Sequence, residues 1–224
     1  MTDLQLRSDI KVEAIQWMGD DEIIAKAARV STGKDQEDND KITGLINYLA
    51  RERHTSPFEH TALTVRIEAP IFVAREAMRH RTFSFNEISG RYAELKPEFY
   101  MPQIERGLTN NGTGAHPEIV VGTGLQWAKA AAEHEDAYVN SWLAYQAMLG
   151  NRVANEVARN VLPVGTYTAW YMTGNLHAWF NFLYLRDGEV GCPQYEIVQL
   201  AQQVWPIIEE HWPIAAKAWK EKNG

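Results

Sequence analysis

The sequence predicts an α+β fold with several long helices. Stretches of strict apolar alternation are few, whereas stretches with apolar residues at i, i+3 and i+4 are many. The two kinds do not alternate regularly, which argues against a doubly wound parallel sheet. The chain has 224 residues and no internal repeat or Pro/Ser-rich linker, so it reads as one domain over residues 1–224.

Each element has a local warrant. Ile10, Val12 and Ala14 alternate with polar residues and open a first strand. Asp20 and Asp21 then cap a helix carrying Ile23, Ile24, Ala27 and Ala28. Ile42, Leu45, Ile46 and Leu49 repeat the helical period. Leu63, Val65 and Ile67 form a half-buried strand, and Pro70 opens a helix running to Met78. The polar stretch from Arg79 to Arg91 has neither period. Residues 105–117, with Asn110-Asn111-Gly112, read as an exposed, flexible loop. A long helix is predicted from Leu125 to Met148, and another from Val153 to Leu162, stopped by Pro163. Thr166 to Thr173 reads as a strand. Asn175 caps a helix bearing Leu176, Trp179, Phe180 and Leu183. The rest is helical, bent or interrupted at Pro206 and Pro213.

Composition excludes several functions. Lys and Arg number 22 against 29 Asp and Glu, a net charge of −7, which disfavours nucleic-acid and anionic-membrane partners. No stretch approaches the ~18 apolar residues of a membrane span, and Met1-Thr2-Asp3-Leu4 has no signal pattern. The lone Cys192 excludes an internal disulfide and a CxxC zinc site and fits a reducing, cytoplasmic compartment. It reads as a small buried hydrophobe. Metal binding by His54, His60, His80 and Glu59 is not expected, because Pro57 prevents a helix from aligning His54 with His60. No GxGxxG or GxxxxGK[ST] loop occurs.

Chemistry concentrates in Arg79-His80-Arg81 and the segment to Tyr92, which adds Ser84, Asn86, Glu87, Ser89 and Arg91. Helix-end charge pairing accounts for one or two of the cations but not the whole group. Guanidinium groups favour phosphates and carboxylates, and Gly90 lets a backbone approach a ligand closely. The cluster therefore reads as an anion-binding site. Arg159 stands on an apolar stretch before Pro163, where a snorkelling surface cation is the competing reading. His177 and Asn181 are four apart and share a helix face with an apolar surround.

Arg79-His80-Arg81, then seven residues and Ser89, resembles the signature of the flavin-dependent thymidylate synthases. Asn86 to Tyr92, Ala27 to Ser31, Ser56 to His60, Ala69 to Arg75, Val157 to Arg159 and Asn181 to Leu183 fit the same family in the same order. The resemblance implies a mixed or antiparallel sheet and a homotetramer with active sites shared between subunits. It implies FAD as cofactor, methylenetetrahydrofolate as carbon donor, NADPH as reductant and reductive methylation of dUMP to dTMP. It assigns dUMP to Glu76, Ala77, Met78, Arg79, Glu87, Ile88, Ser89, Gly90, Arg91, Arg159 and Arg186. It assigns FAD to Ser56, Arg79, His80, Arg81, Glu87, Asn175, Leu176, His177 and Asn181. Arg186 corresponds to the arginine that favours ionisation at uracil N3, the catalytic role. In this resemblance the charges of Arg79, His80 and Arg81 offset the FAD pyrophosphate, and Ser89 positions dUMP rather than attacking it.

The chain departs from the family at three places. Glu76 replaces a common Gln, His177 replaces a common Arg, and the run Asp187 to Gln194 replaces a shorter stretch containing a His. Two other readings stay open: folate- and flavin-dependent methylation of uracil in RNA, and a non-catalytic nucleotide- or flavin-binding protein. The acidic balance weighs against the first.

Overall fold

The computed structural model describes residues 4–34, 41–114 and 116–223. Residues 1–3, cited above for the lack of a signal pattern, and Ala115 of the predicted loop lie outside them. The chain begins β1 (Gln5–Arg7), β2 (Lys11–Met18), α1 (Asp21–Arg29), α2 (Ile42–Arg51), β3 (Ala62–Pro70) and α3 (Ile71–Ala77). It continues with β4 (Ser84–Glu87), β5 (Glu98–Tyr100), β6 (Thr109–Asn110), β7 (Ile119–Val120) and α4 (Gly124–Gly150). Last come α5 (Asn155–Ala158), β8 (Tyr167–Gly174), α6 (Leu176–Arg186), α7 (Tyr195–His211) and α8 (Pro213–Asn223). The α+β prediction holds. Four strands pair in the order β2-β3-β8-β4, β1 pairs with β5 in parallel, and β6 pairs with β7 antiparallel.

Two compact units emerge. The first holds the chain up to Ile10, Glu68–Glu76 and Glu87–Trp170. The second holds Lys11–Ile67, Ala77–Asn86 and the chain from Tyr171 onward, so the division runs through β3 and β8.

In the first unit Phe99, Tyr138, Trp142, Tyr145 and Ala158 form a buried aromatic cluster. The Tyr138 hydroxyl donates to the Tyr100 carbonyl at 2.7 Å, and the Tyr145 hydroxyl accepts from the Leu95 N–H at 3.1 Å. These bonds pin the second half of α4. Gly165 is required there, because a Cβ would stand 2.4 Å from the Tyr138 hydroxyl. The Arg7 guanidinium meets Asp9, Glu68 and Glu98, which raise its pKa and hold β1 beside β5.

Two expectations need correction in this unit. The helix predicted over Val153–Leu162 is the four-residue α5 followed by a 3-10 turn, Arg159–Val161. Val157 and Val161 are exposed, so no continuous apolar stripe holds a longer helix down. The predicted loop contains structure: Ile104–Arg106 is a 3-10 turn, and β6 pairs with β7. The Asn110 side chain closes that hairpin by accepting from the N–H groups of Gly112 and Glu118, at 2.9 and 3.0 Å.

The second unit is organised around α6, which buries Leu176, Ala178, Trp179, Phe180, Phe182 and Leu183. Asn175 caps it as predicted, accepting from the Ala178 N–H at 2.8 Å. Asp20 likewise caps α1. Asp21, expected to share that task, instead accepts from the Ile214 and Ala215 N–H groups at the start of α8, and burial raises its pKa. α7 runs through Pro206 without ending, whereas Pro213 opens α8 as a first helical residue.

The stretch without predicted period contains β4, whose residues stay mostly exposed at the sheet edge and so carry no alternation. Cys192 is exposed, against the expectation of burial. It sits in a turn where Gly188 and Gly191 have positive φ, which keeps the segment off the core. No helix among the described residues is long and apolar enough to cross a membrane.

Candidate active site

The nucleotide residues expected from the sequence fall in both units. In the first, β4 ends at Glu87 and the chain turns through Ile88, Ser89 and Gly90. The Ile88 N–H donates to the Ala169 carbonyl at 2.9 Å, and the Ser89 hydroxyl accepts from the Arg91 N–H at 3.3 Å. This turn forms one side of a cavity of about 460 Å³, lined among others by Arg75, Glu87, Gly90, Arg159, Asn160 and Thr168. Clefts of that size hold small ligands. Gly90 is buried, and a Cβ on it would press to 3.2 Å from both Arg159 and Leu95. The backbone thus lies close under the Arg159 side chain.

Charge in this cavity is uneven. Arg159 and Arg75 have no ion-pair partner among the described residues. Next in sequence to the lining residue Gly90, Arg91 donates its Nε–H to Glu156 at 3.0 Å, an exposed pair of ~0–1 kcal/mol. Glu87 is fixed by Thr168, whose hydroxyl donates to it at 2.8 Å. Glu76 lies half-buried in the last turn of α3.

In the second unit α3 ends at Ala77, so Arg79, His80 and Arg81 lie in the turn beyond it. The His80 N–H donates to the Ala77 carbonyl at 3.1 Å. Ala77 is fully buried, and Met78 is half-buried. Phe83 anchors the turn against Trp179, with ring centroids 4.7 Å apart. Gly174 makes room, since a Cβ there would meet the Phe83 ring at 2.5 Å.

Arg79 and Arg81 are exposed, with no ion-pair partner among the described residues. His80 is not a third cation: burial, then the charge of Arg186, lowers its pKa from 6.5 to about 4. Its Nε2 accepts from the Arg186 Nε–H at 3.1 Å. The expected trio of charges is therefore a pair.

The start of α6 gathers the other expected flavin residues. Ser56 begins the 3-10 turn Ser56–His60, which is tied to α6 because Thr61 accepts from the Leu176 N–H at 3.1 Å. The His177 Nδ1 lies 3.2 Å from the Glu59 carboxylate. Asn181 is exposed one turn further on. The Asn175 amide oxygen is committed to the cap, which leaves its NH₂ to donate. A half-exposed row of amide, imidazole and guanidinium donors, with Arg79 and Arg81 lacking counter-charges, fits a cofactor that combines a pyrophosphate with a polar ring.

Glu59 entered the sequence analysis only in the metal group that was not expected, and Arg75 only as the end of a family block, so neither was given a site role. Glu156 and Thr168 carry no local signal and show only through their partners. A second cavity of about 350 Å³ in this unit, lined by Tyr184, Asp187, Trp205 and Trp219, contains none of the expected residues besides the start of the divergent 187–194 run.

An arginine-lined, nucleotide-sized cavity and a polar helix face on an α+β scaffold are the equipment of a nucleotide-modifying enzyme. The family model described as Thymidylate synthase complementing protein matches residues 13–214. The Flavin-dependent thymidylate synthase of Streptomyces coelicolor is 46% identical over 190 residues, covering 82% of this chain and 77% of the relative. That of Thermus thermophilus is 41% identical over 210 residues, covering 94% and 75%. The crystal structure of the UMP/dUMP methylase PolB from Streptomyces cacaoi, bound with 5-Br UMP, superposes with a TM-score of 0.91 at 39% identity, covering 98% of this chain and 97% of that one. The chain belongs to the family of flavin-dependent thymidylate synthases, and it is an enzyme of that family.

Proposed function

We propose that the protein methylates dUMP reductively to dTMP, with methylenetetrahydrofolate as carbon donor and NADPH-reduced FAD as hydride source. The observation that carries this is the first-unit cavity, where Arg159 and Arg75 face a nucleotide-sized space without carboxylate partners. A nucleoside monophosphate brings the dianion those guanidinium groups lack. Ile88, Ser89 and Gly90 support it with backbone and hydroxyl groups, and Arg91 exchanges Glu156 for the phosphate. Glu87, oriented by Thr168, accepts from a hydroxyl or ring N–H of the nucleoside.

Arg186 is the catalytic residue of this proposal. Its permanent charge favours uracil ionised at N3, which makes C5 electron-rich enough to take the one-carbon unit. FAD, when bound, supplies the hydride that completes the methyl group, while NADPH is oxidised and tetrahydrofolate leaves unoxidised. Ser56, Asn175, Leu176, His177, Asn181, Arg79, His80, Arg81 and Glu87 hold the cofactor, with Arg79 and Arg81 neutralising its pyrophosphate.

The enzyme acts as a homotetramer whose active sites draw on more than one subunit. Supporting this, the 27-residue α4 buries only Tyr138, Trp142 and Tyr145, all in its second half. A cytoplasmic location agrees with the exposed thiol of Cys192, which a reducing compartment preserves.

A visible absorption spectrum followed by anaerobic NADPH, with and without dUMP, tests the proposal. A yellow protein, or one made yellow by added FAD, should bleach faster when dUMP is present. A colourless protein that takes up no FAD overturns it. A second reading, that UMP is also methylated, draws on the likeness to PolB and is separated by comparing turnover of the two nucleotides.

A further inference from the structure

The hydrogen bond between Arg186 and His80 joins two side chains that the proposed function assigns separately. A guanidinium only donates, so the Nε–H of Arg186, 3.1 Å from Nε2 of His80, requires a lone pair on that nitrogen. The imidazole proton therefore resides on Nδ1. The ring is held in place as well as in protonation. It stands edge-on to Phe182, centroids 4.9 Å apart, and Phe182 is fully buried against Trp179. Phe83, seated over Gly174, anchors the turn that carries His80. Burial and the neighbouring charge keep the ring neutral down to about pH 4, so the acceptor persists throughout the physiological range.

We infer that His80 is the positioning residue of Arg186: by accepting the Nε–H it fixes the guanidinium plane that is offered to the uracil. The bond to His80 holds the long side chain of Arg186 at its Nε. With Nε engaged, rotation of the guanidinium is blocked and its terminal nitrogens keep one direction. This inference rests on the proposed role of Arg186 toward the pyrimidine.

A double-mutant cycle on the FAD-saturated protein tests it. Affinity for dUMP is measured by calorimetry for wild type, His80→Phe, His80→Gln, Arg186→Ala and the His80→Phe/Arg186→Ala pair, with flavin content followed by absorbance. Contacting residues couple, so His80→Phe should weaken dUMP about tenfold beside Arg186 and less than about twofold when Arg186 is absent. His80→Gln, which keeps an acceptor near Nε2, should stay within about threefold of wild type. An equal loss in both backgrounds, or a Gln variant as damaged as the Phe variant at equal flavin content, overturns the inference.

Nitrogen chemical shifts of the His80 ring provide an independent measurement on the wild-type protein. They should report Nδ1–H with a bare Nε2 at neutral pH, and a mixture of tautomers in Arg186→Ala. An Nε2–H tautomer in wild type overturns the inference even if His80→Phe fails to fold. Wild type that does not bind dUMP instead defeats the proposed function, while the ring spectrum still reads the His80–Arg186 bond.

Discussion

Arg159 in the first unit and Arg186 in the second carry the same charge in opposite settings. Arg159 begins a 3-10 turn on irregular backbone, lines an open cavity and has no carboxylate partner among the described residues. Arg186 ends an eleven-residue helix and is tied to a buried aromatic wall through His80. A charge without a counter-charge is suited to collecting an anion, and a charge with a fixed orientation is suited to acting on one ring atom. Binding tolerates a mobile guanidinium. Charge stabilisation during a reaction does not, because its benefit depends on dipoles already aimed before charge develops.

The sharpest break in that contrast is Arg186→Ala. It should lower dUMP turnover about 10²–10³-fold, the usual cost of removing one electrostatic stabiliser, while bound flavin per chain stays near wild type. Loss of flavin with unchanged turnover per flavin would reverse the assignment.

Next comes Gly174→Ala, which acts on the support of the second setting. Its Cβ would stand 2.5 Å from the Phe83 ring, so the variant should unfold about 2 kcal/mol more easily in a denaturant titration. An equally stable variant would mean that the turn bearing His80 is held by something other than Phe83.

Arg159→Ala should raise the KM for dUMP about tenfold and leave kcat nearly unchanged, since a charge-assisted contact is worth roughly 1.5–3 kcal/mol. Deoxyuridine, which lacks the phosphate, should bind the variant and the wild type alike. A large fall in kcat would place Arg159 in the chemistry instead.

The most gradual effect is on stability against pH, spread over more than two pH units. His80 titrates near 4 when folded and near 6.5 when unfolded, so between these values the unfolded chain binds the extra proton. Stability is fully present above about pH 6.5 and is lost as pH falls through 4. His80→Gln should flatten the slope by up to about one proton, read from denaturant midpoints across that window.

The regular elements and the candidate ligand-binding blocks differ in how well local sequence reports them. β3 shows its alternation in Leu63, Val65 and Ile67, all fully buried, and Asn175 announces α6 through its cap. Edge strand β4 carries no alternation because little of it is buried. Residue types alone suggested an anion site at Arg79 to Tyr92. The neutrality of His80 was not legible, because it arises from burial and from Arg186, a neighbour 106 residues away.

Composition gave the net negative charge, and local order settled the α+β class, most helix starts and the family signature, since period, capping and motif spacing act over a few residues. Folding settled which arginines are paired. Arg91 finds Glu156, Arg186 finds His80, Thr168 turns Glu87, and Arg159 is left facing a cavity. Charge, orientation and protonation depend on distance and burial, and the chain acquires both only when remote segments meet.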